Sequence, residues 1–420
     1  MLTASEILQV FNQGNRGIAS SSGETWEVQR KFTHRTLKNL SKNGRLEHIL
    51  AEEVADLCTL LRSKAEEGRP VEIGFDINVA VANVTWAMVA GERSKKGEIR
   101  PFLEAVNKGI ELASTSAVLL FMPFLAKIFP ERYLGIDQVR TLQKQTQGLL
   151  QRVIDEHKAN YQEDGDGGDE NSRDFIDAFL AEMKREGAHE SFEEIQLLIL
   201  CIELFGAGGE PTSVTLKWAV RFLATNPEVQ RRAQEEISRA VGQDRPVTPS
   251  DRPALPYVQA LVYEIIRLAD IHPIGVLHSP SADADIAGHD VPAGSFVFPN
   301  FHHALRDPDL WAHPDELRPE DHWLSHDGSP KKSHEGSHKG SHKEPTEFQG
   351  ASRPGFVSFG VGRRKCPGQD MALTMLFVFV GNLIQNFEFS LAPGDSGRVE
   401  CTQGVVVGPK PYKTSIRTRF

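Results

Sequence analysis

The chain has 420 residues, of which 40% are hydrophobic and 25% charged, and its formal net charge is -10 at pH 7. This composition is typical of a globular protein and excludes a disordered or fibrous chain. The acidic balance argues against bulk nucleic-acid binding, which needs an excess of lysine and arginine on one face. A chain of this length can form more than one lobe and can bury a cofactor.

The start of the chain has no basic segment followed by an apolar core, so we predict neither a signal peptide nor a membrane anchor there. No stretch reaches the roughly 18 uninterrupted apolar residues typical of a membrane-spanning helix. The closest, residues 116–129, is interrupted by Pro123 and Lys127 and is expected to be core or to contact a membrane surface. The cysteines are widely spaced and include no CxxC pair: they are Cys58, Cys201, Cys366 and Cys401. This pattern indicates a reducing compartment.

A short basic stretch without acidic residues comes early in the chain. Its cationic residues are Arg30, Lys31, Arg35, Lys38, Lys42 and Arg45. Two interpretations stay open, a solvated helix face, which is the more common case, or a docking surface for an acidic partner.

Helical periodicity dominates the first two thirds of the chain. Apolar residues recur at three- and four-residue spacing, which is typical of helices with one buried face. This pattern predicts helices over residues 45–66, 99–113, 134–160, 174–186, 192–224 and 227–241. An acidic, glycine-rich segment at residues 162–174 is predicted to be a loop.

The centre of the helix predicted over 192–224 contains residues that weaken helices. Its segment LFGAGGEPTSVTL, residues 204–216, includes Gly206, Gly208, Gly209 and Pro211. In a helix interior glycine costs about 1 kcal/mol relative to alanine, and proline about 3 kcal/mol. Because helix stability does not favour this sequence, a functional requirement is indicated.

After Pro273 the pattern changes to the alternation typical of strands. Residues 284–300 predict a β-hairpin, and residues 404–420 predict a second extended pair that closes the chain. A low-complexity insert rich in His, Lys, Ser and Gly occupies residues 328–350. The insert has histidines at a four-residue step, at His334, His338 and His342. In a helix they would share one face, as in a metal site, but the glycines of the insert favour a surface loop.

Cys366 lies in a glycine- and arginine-rich loop, FVSFGVGRRKCPG, directly before a long apolar segment predicted to be a helix. The thiolate, which is the form that binds iron, is favoured by the cations before it and by the amides at the start of that helix. Gly362 and Gly368 allow the backbone to approach a flat ligand closely, and Phe359 can shield the sulfur from water. The context indicates a metal ligand rather than a small buried hydrophobe.

This loop resembles the haem-binding signature FxxGxRxCxG of the cytochrome P450 family. The matching positions are Phe359, Gly362, Arg364, Cys366 and Gly368, with Ala372 beyond them. The chain also has the family's ExxR motif (Glu264 and Arg267), its WxxxR motif (Trp26 and Arg30) and its oxygen-binding groove, LFGAGGEPT. Segments such as YEIIRLADIHPIGVLHS and GIASSSGETWEVQRKFT look most like the microsomal animal enzymes of family 2.

The resemblance implies a mainly α fold with a smaller β region, the cytochrome P450 fold, formed by residues 1–420 as one domain. Family members carry a membrane anchor, a first helix and a small β region ahead of the point where this sequence begins. We therefore expect the chain to be N-terminally truncated. The implied location is the cytosolic face of the endoplasmic reticulum membrane, with peripheral membrane contact.

The cofactor implied by the resemblance is haem b, iron protoporphyrin IX, with Cys366 as the axial ligand of the iron. Buried haem propionates need charge-assisted donors, a role that the resemblance assigns to Trp26, Arg30, His278 and Arg364. The full set predicted to bind the cofactor is Trp26, Arg30, Ala207, Gly208, His278, Phe359, Arg364, Cys366 and Gly368.

Glu264 and Arg267, at positions i and i+3 of a helix, are predicted to hold the fold rather than to act on substrate, because a buried ion pair needs fixed partners. The family closes this network with an arginine or histidine from a later loop. His322 is in the better register for this role, and Arg318 is the substitute.

Glu210 matches the family's acid, which relays protons during oxygen activation. Pro211 stands where most relatives have a threonine that assists this step, and it offers neither a hydroxyl nor an amide proton. Thr212 follows immediately. Two outcomes stay open: oxygen insertion rescued through Thr212 or water, or leaky turnover in which oxygen is released as peroxide.

Apolar residues at the family's substrate positions favour a lipophilic small molecule held mainly by shape. They are Leu204, Phe205, Ile274, Val276, Leu277, Val405 and Val406. Electrons are expected from NADPH through NADPH-cytochrome P450 reductase, which would dock on the basic stretch, with cytochrome b5 as a further donor.

The preferred function is a haem-thiolate monooxygenase that inserts one oxygen atom from O2 into a lipophilic molecule. One alternative is a haem-thiolate isomerase or peroxygenase acting on hydroperoxides, a chemistry known among relatives without the threonine hydroxyl, and the retained Glu210 counts against it. The other alternative is a non-catalytic haem-binding fragment, suggested by the missing N-terminal part.

Overall fold

The computed structural model describes residues 15–19, 21–42, 44–93, 99–100, 103–104, 122, 128, 136–160, 172–324, 347–402 and 404–420. Helices dominate this part of the chain. They are α1 (Gly23–Lys42), α2 (Arg45–Glu66), α3 (Gly74–Ala90), α4 (Ile136–Asn160), α5 (Phe175–Lys184), α6 (Glu194–Thr225), α7 (Pro227–Ala240), α8 (Pro256–Ala269), α9 (Phe301–Leu305) and α10 (Gln369–Asn386).

The chain divides into two compact units. The first comprises Met1–Glu66, Glu72–Ser213 and Pro367–Met375. In this unit α2 packs against α1 and α3, and α5 packs against α1, α3 and α4.

Aromatic rings fill the core of the first unit. The ring of Phe32 on α1 meets those of Phe175, Phe179 and Phe192 edge-on, at centroid distances of 5.8, 5.5 and 5.2 Å. Such pairs contribute about 0.5–1.5 kcal/mol each beyond the burial of their area. This cluster fixes α1 against α5.

The end of α3 requires a glycine. Gly91 has a left-handed φ of 83°, and its N–H donates to the Ala87 carbonyl, which closes the helix. A Cβ at this position would lie 2.3 Å from Oδ2 of Asp174, the residue that caps α5. Gly91 therefore provides both the turn and the room for the cap of the neighbouring helix.

The second unit comprises Glu67–Val71, Val214–Cys366 and Leu376–Phe420. Its central helix, α8, packs against α7 and against the short 3-10 helix Pro319–His322. Its strands form antiparallel pairs: β1 (Ala284–Ile286) with β2 (His289–Val291), β3 (Trp323–Leu324) with β4 (Glu347–Phe348), and β5 (Phe387–Leu391) with β6 (Thr414–Thr418).

The mainly helical fold with small sheets is confirmed. Where the structure describes them, the helices predicted over 45–66, 134–160, 174–186, 192–224 and 227–241 lie within two residues of their predicted ends. The periodicity analysis did not predict α3, because that helix is apolar on nearly every side and so shows no three- and four-residue alternation. The hairpin predicted over 284–300 is present as β1 and β2, and is shorter than predicted.

The extended pair predicted over 404–420 is wrong. The last strand, β6, pairs with β5, from Phe387 opposite Thr418 to Leu391 opposite Thr414. Phe387 and Phe389 bury their rings almost completely, at 0% and 1% exposure, which fixes the face that β5 turns to the core and so its register with β6.

Several predicted segments lie outside the described residues. They are most of the helix predicted over 99–113 and of the apolar stretch 116–129, residues 162–171 of the acidic loop, and residues 328–346 of the insert with His334, His338 and His342.

Among the described helices, α6 alone has the length and apolar composition of a membrane span. In the folded chain 56% of its most apolar 18-residue window is buried inside the protein. The core helix of a globular protein satisfies the same test of length and composition.

Candidate functional site

Cys366 ends a loop whose backbone is fixed by its own hydrogen bonds. The Cys366 N–H donates to the Phe359 carbonyl at 2.8 Å, and the Gly360 N–H donates to the Val357 carbonyl at 2.7 Å. Gly360 and Gly362 have left-handed φ angles of 71° and 69°, which residues with a Cβ rarely adopt. The loop therefore presents an exposed thiol in a defined position shortly before α10 begins.

The residues of this loop fit a flat, apolar ligand that contains iron. A Cβ at Gly362 or Gly368 would meet no described atom within 4 Å, so space is open beside the bare backbone. Val361 is 69% exposed, an apolar surface that such a ligand would cover. The donor set has the required chemistry, because a thiol next to several cations readily becomes a thiolate, and guanidinium groups bind carboxylates. Haem satisfies all of these features.

The other cysteines offer contrasting environments. Burial raises the pKa of the Cys58 thiol to about 11 and raises that of Cys201 further, so neither forms a thiolate at neutral pH. Cys401 is exposed, as Cys366 is, but it directly follows Glu400, whereas Arg363, Arg364 and Lys365 directly precede Cys366.

The glycine-rich centre of α6 is helical throughout, including Pro211. A Cβ at Gly206 or Gly209 would meet no described atom within 4 Å. Gly208 differs, because a Cβ there would lie 3.1 Å from Cγ2 of Thr85 on α3. Two glycines of this segment thus leave open space, and the third allows α3 to approach.

One of the two predicted catalytic residues lines a small cavity. Glu210 is half-buried and lines it, and Thr212 is only 4% exposed. The Ser213 hydroxyl donates to the Glu210 carbonyl at 2.9 Å. Because Pro211 has no N–H, the helix loses one backbone hydrogen bond at this level.

Glu264, Arg267 and His322 form one buried network. Arg267 donates from Nε and Nη2 to the two carboxylate oxygens of Glu264, both at 2.8 Å, and Nε2 of His322 lies 3.0 Å from Oε2 of Glu264. All three side chains are fully buried. Arg318 contributes its backbone N–H to Oε1 of Glu264 at 2.9 Å, whereas its guanidinium faces Glu316 and Asp321.

The network fixes the charge of its members. Burial by itself would raise the pKa of Glu264, but the hydrogen bonds from Arg267 and His322 outweigh it and lower this pKa to about 2. Burial lowers the pKa of His322, so the imidazole is neutral and donates through Nε2. Its Nδ1 has no hydrogen-bond partner within the described part of the chain.

Sequence reasoning missed an aromatic residue that supports this network. The fully buried Trp311 ring lies between two guanidinium groups, 4.7 Å from Cζ of Arg267 and 4.4 Å from Cζ of Arg353. Its indole N–H donates to the Ala304 carbonyl at 3.1 Å. Arg353 is 3% exposed, and burial lowers its pKa.

The residues predicted to bind the haem carboxylates differ in their surroundings. In the first unit Trp26 is 7% exposed, and Cζ of the half-buried Arg30 lies 5.7 Å from its ring centroid. In the second unit Arg364 and His278 are exposed, and His278 pairs through its backbone with Val297.

The predicted substrate contacts fall into buried and exposed positions. Phe205 is 2% exposed and packs edge-on against Trp86 at 6.1 Å, and Leu204 is half-buried. Val406 packs against the cluster of Val214, Trp218 and Ala269. The others are exposed or half-exposed: Ile274 at 59%, Val276 at 61% and Val405 at 59%, with Leu277 half-buried. Ala207, predicted to bind the cofactor, is exposed.

Glu203, one residue ahead of the glycine-rich segment, was missed by sequence reasoning. Its carboxylate accepts from the backbone N–H groups of Ile18 at 2.7 Å and Ala19 at 3.3 Å. Gly17 has a φ of 73°, and a Cβ there would lie 2.1 Å from Oε1 of Glu203. Glu203 thus ties an early segment of the chain to α6. A lone acid in the apolar run LLILCIELFGAG was the available signal.

The free energy of unfolding of the wild-type protein is expected to fall between pH 5 and pH 7. Replacing Glu203 by glutamine should remove this fall. Burial raises the pKa of Glu203 from 4.5 to about 7, despite the two backbone donors. The folded chain therefore keeps a proton that the unfolded chain releases, so this group destabilises the fold as the pH rises, by up to about 3 kcal/mol. Urea unfolding of both proteins at pH 5 and pH 7 measures the difference.

The control for this experiment is Glu193→Gln. Glu193 pairs with Arg16 at 2.9 Å in the same early segment, and its side chain is 47% exposed. This variant should keep the wild-type pH dependence. An equal fall in stability for wild type and Glu203→Gln would show that Glu203 is not the responsible group.

Comparison with known proteins agrees with this assignment of motifs. The family model for cytochrome P450 matches residues 6–416. The chain is 33% identical to cytochrome P450 2J3 of Rattus norvegicus over 413 residues, 96% of this chain and 75% of the relative. It is 30% identical to cytochrome P450 2J2 of Homo sapiens over 405 residues, 94% and 74% of the two chains.

A third relative, cytochrome P450 2D3 of Rattus norvegicus, is 32% identical over 419 residues, 97% of this chain and 77% of that protein. The chain thus aligns with about three quarters of the length of these animal family-2 enzymes. The chain is similar to animal members of family 2 and belongs to the cytochrome P450 family, the haem-thiolate monooxygenases.

Proposed function

We propose that this monooxygenase binds haem b and inserts one oxygen atom from O2 into a lipophilic small molecule, using electrons that a reductase takes from NADPH. The observation that carries the proposal is the FxxGxRxCxG loop, in which backbone hydrogen bonds and two left-handed glycines present an exposed Cys366. Haem iron supplies the binding and reductive activation of dioxygen.

Cys366 is the proposed iron ligand, and its thiolate is favoured by Arg363, Arg364 and Lys365. Trp26, Arg30, His278 and Arg364 are the proposed donors to the haem carboxylates. Small or flat side chains give the macrocycle room, at Ala207, Gly208, Phe359 and Gly368. Of these, Gly208 has a second role in helix packing, through its approach to Thr85.

Glu210 is the proposed proton donor, and Thr212 the proposed hydroxyl that assists it. A half-buried carboxylic acid beside a cavity can hold a proton and release it inward. Thr212 is buried and lies two residues further along the same helix, so the proline at 211 does not remove every hydroxyl from this region.

Apolar contacts are proposed to hold the substrate. Ile274, Val276 and Val405 expose large apolar side chains, which a lipophilic ligand would cover. Leu204, Phe205, Leu277 and Val406 are the remaining proposed contacts. With few polar groups among them, shape and volume would decide which lipophilic molecule binds.

The basic stretch on α1 is the proposed docking surface for the acidic reductase. Lys31, Lys38 and Lys42 are exposed and recur at helical spacing, so they share one face. Complementary charge mainly raises the rate of association, which suits a transient electron donor. Cytochrome b5 would use the same face, and we propose the cytosolic face of the endoplasmic reticulum, with peripheral membrane contact, as the location.

Isotope labelling tests the function. The protein is loaded with haem, mixed with NADPH and microsomal reductase, and supplied with lipophilic compounds under 18O2. The proposal expects product that carries one 18O atom and that forms only with NADPH. The missing hydroxyl at Pro211 favours one rival, rearrangement of a hydroperoxide. Turnover of a lipid hydroperoxide without NADPH, combined with no 18O in product, would support that rival and contradict the proposal.

Replacing Thr212 by alanine is expected to increase the fraction of NADPH electrons that leaves as hydrogen peroxide, because the hydroxyl that assists proton delivery is lost. The matched control is Ser213→Ala, which removes the neighbouring hydroxyl that donates to the Glu210 carbonyl. Peroxide released per NADPH oxidised is measured in all three proteins. Equal values in wild type and Thr212→Ala would remove Thr212 from the mechanism.

A further inference from the structure

α3 packs closely against the part of α6 that carries Glu210. Cγ2 of Thr85 lies 3.1 Å from the position of a Cβ on Gly208, and the rings of Trp86 and Phe205 meet edge-on at 6.1 Å. At this level the two helices leave no room between them, because glycine permits the approach.

Two turns earlier on α3, on the same face, this contact opens into a small cavity. It has room for about one water molecule, about 10 Å³. A Cβ at Gly209 would meet no described atom within 4 Å, so the glycine helps to create this space. The described residues that line the cavity are Asn78, Leu103, Phe205, Gly206, Gly209, Glu210 and Ser213.

Asn78 presents an unsatisfied acceptor in this region. Its Oδ1 is buried and has no hydrogen-bond donor among the residues that the structure describes. Buried polar atoms are nearly always hydrogen-bonded, to protein or to ordered water. The residues that line the cavity include three with polar side chains, Asn78, Glu210 and Ser213, and the cavity has the size of a water molecule, so a water is the donor that fits.

We propose that a water molecule bound by Asn78 in this cavity links Glu210 to solvent, and that Asn78 is a positioning residue for proton transfer. This rests on the proposed function, in which Glu210 carries the protons. The water donates one hydrogen to Oδ1 of Asn78, which leaves its other hydrogen directed at the Glu210 carboxylate. When Glu210 gives up a proton it takes one from this water, and the water regains one from solvent, so atoms and charge balance.

The half-buried position of Asn78 supports the exchange with solvent. The side chain is neither sealed in the core nor fully exposed, and Glu210 is half-buried as well. A water held between them can be replaced from outside while its orientation stays fixed by the amide. The path therefore approaches Glu210 from α3.

The first test is a crystal structure at high resolution. We expect an ordered water within hydrogen-bond distance of both Oδ1 of Asn78 and the carboxyl of Glu210, and we expect Asn78→Leu to displace it. An empty cavity in the wild-type protein, or a direct hydrogen bond between the two side chains with no water, would overturn the proposal. This result does not depend on activity.

The second test compares kinetics of the haem-loaded variants. Asn78→Leu should form product about five- to tenfold more slowly, the effect of one lost hydrogen bond on proton transfer. It should also release more peroxide per NADPH and change the solvent isotope effect on turnover. Asn78→Ser, which keeps a hydroxyl acceptor, should recover most of the rate.

Asn83→Leu is the matched control on the same helix. Its amide donates to Glu53 at 3.0 Å, and the residue does not line the cavity. This variant should keep the wild-type isotope effect and peroxide yield. If Asn78→Leu also kept the wild-type isotope effect and the wild-type peroxide yield, the proposal would be contradicted. A missing thiolate-haem spectrum would count against the proposed function alone, because the water site is read from the crystal structure.

Discussion

A Cys366→Ser protein supplied with haem will lose the absorption band that the reduced, carbon monoxide-bound haem shows under thiolate ligation. Serine has nearly the same size and keeps the backbone hydrogen bond to Phe359, so the loop should remain folded. Its hydroxyl does not form the anion that holds iron and donates electron density to it. We expect turnover with NADPH to fall below detection.

The chain offers a close control in Cys401→Ser. Both cysteines are exposed and both belong to the second unit, but Cys401 directly follows Glu400, whereas Arg363, Arg364 and Lys365 directly precede Cys366. Its variant should keep the full spectrum. If Cys366→Ser kept the band, or if wild-type protein stayed colourless after exposure to haem, the thiolate assignment and everything proposed from it would be wrong.

The parts of the site that sequence could predict are those set by short-range chemistry. The loop at 359–368 depends on glycines and cations within ten residues, and the structure folds it through its own backbone. ExxR spacing places Glu264 and Arg267 on one helix face by geometry alone. Their histidine partner is 58 residues away from Glu264, and the family resemblance, rather than the pattern, indicated it.

What sequence could not predict depends on distant packing. The carboxylate of Glu203 meets a backbone amide 185 residues away, and no local pattern encodes that contact. Trp311 lies between two arginines because three separate segments converge there. The predicted pairing of the last strand was wrong for the same reason. The partner of β6 is β5, and which strand lies beside the end of the chain depends on the packing of the whole unit.

Replacing Arg267 by methionine should destabilise the protein more than any other single change on α8. The substitution removes both hydrogen bonds to Glu264 and leaves a carboxylate buried with only the neutral His322 and a backbone N–H to bind it. Breaking a buried pair from one side typically costs about 3–5 kcal/mol. That is a large share of the roughly 5–15 kcal/mol that stabilises a folded domain. Urea unfolding, with and without haem, measures the loss.

Two further variants separate burial of charge from simple loss of an arginine. Arg221→Met breaks the ion pair with Asp395, whose side chain is 22% exposed and can be solvated by water, so it should cost clearly less than Arg267→Met. The double variant Glu264→Met with Arg267→Met should recover part of the stability, because no uncompensated charge stays in the core. Equal losses for Arg221→Met and Arg267→Met would contradict the explanation by burial of the Glu264 charge. Wild-type stability of Arg267→Met combined with lost turnover would place Arg267 in catalysis instead.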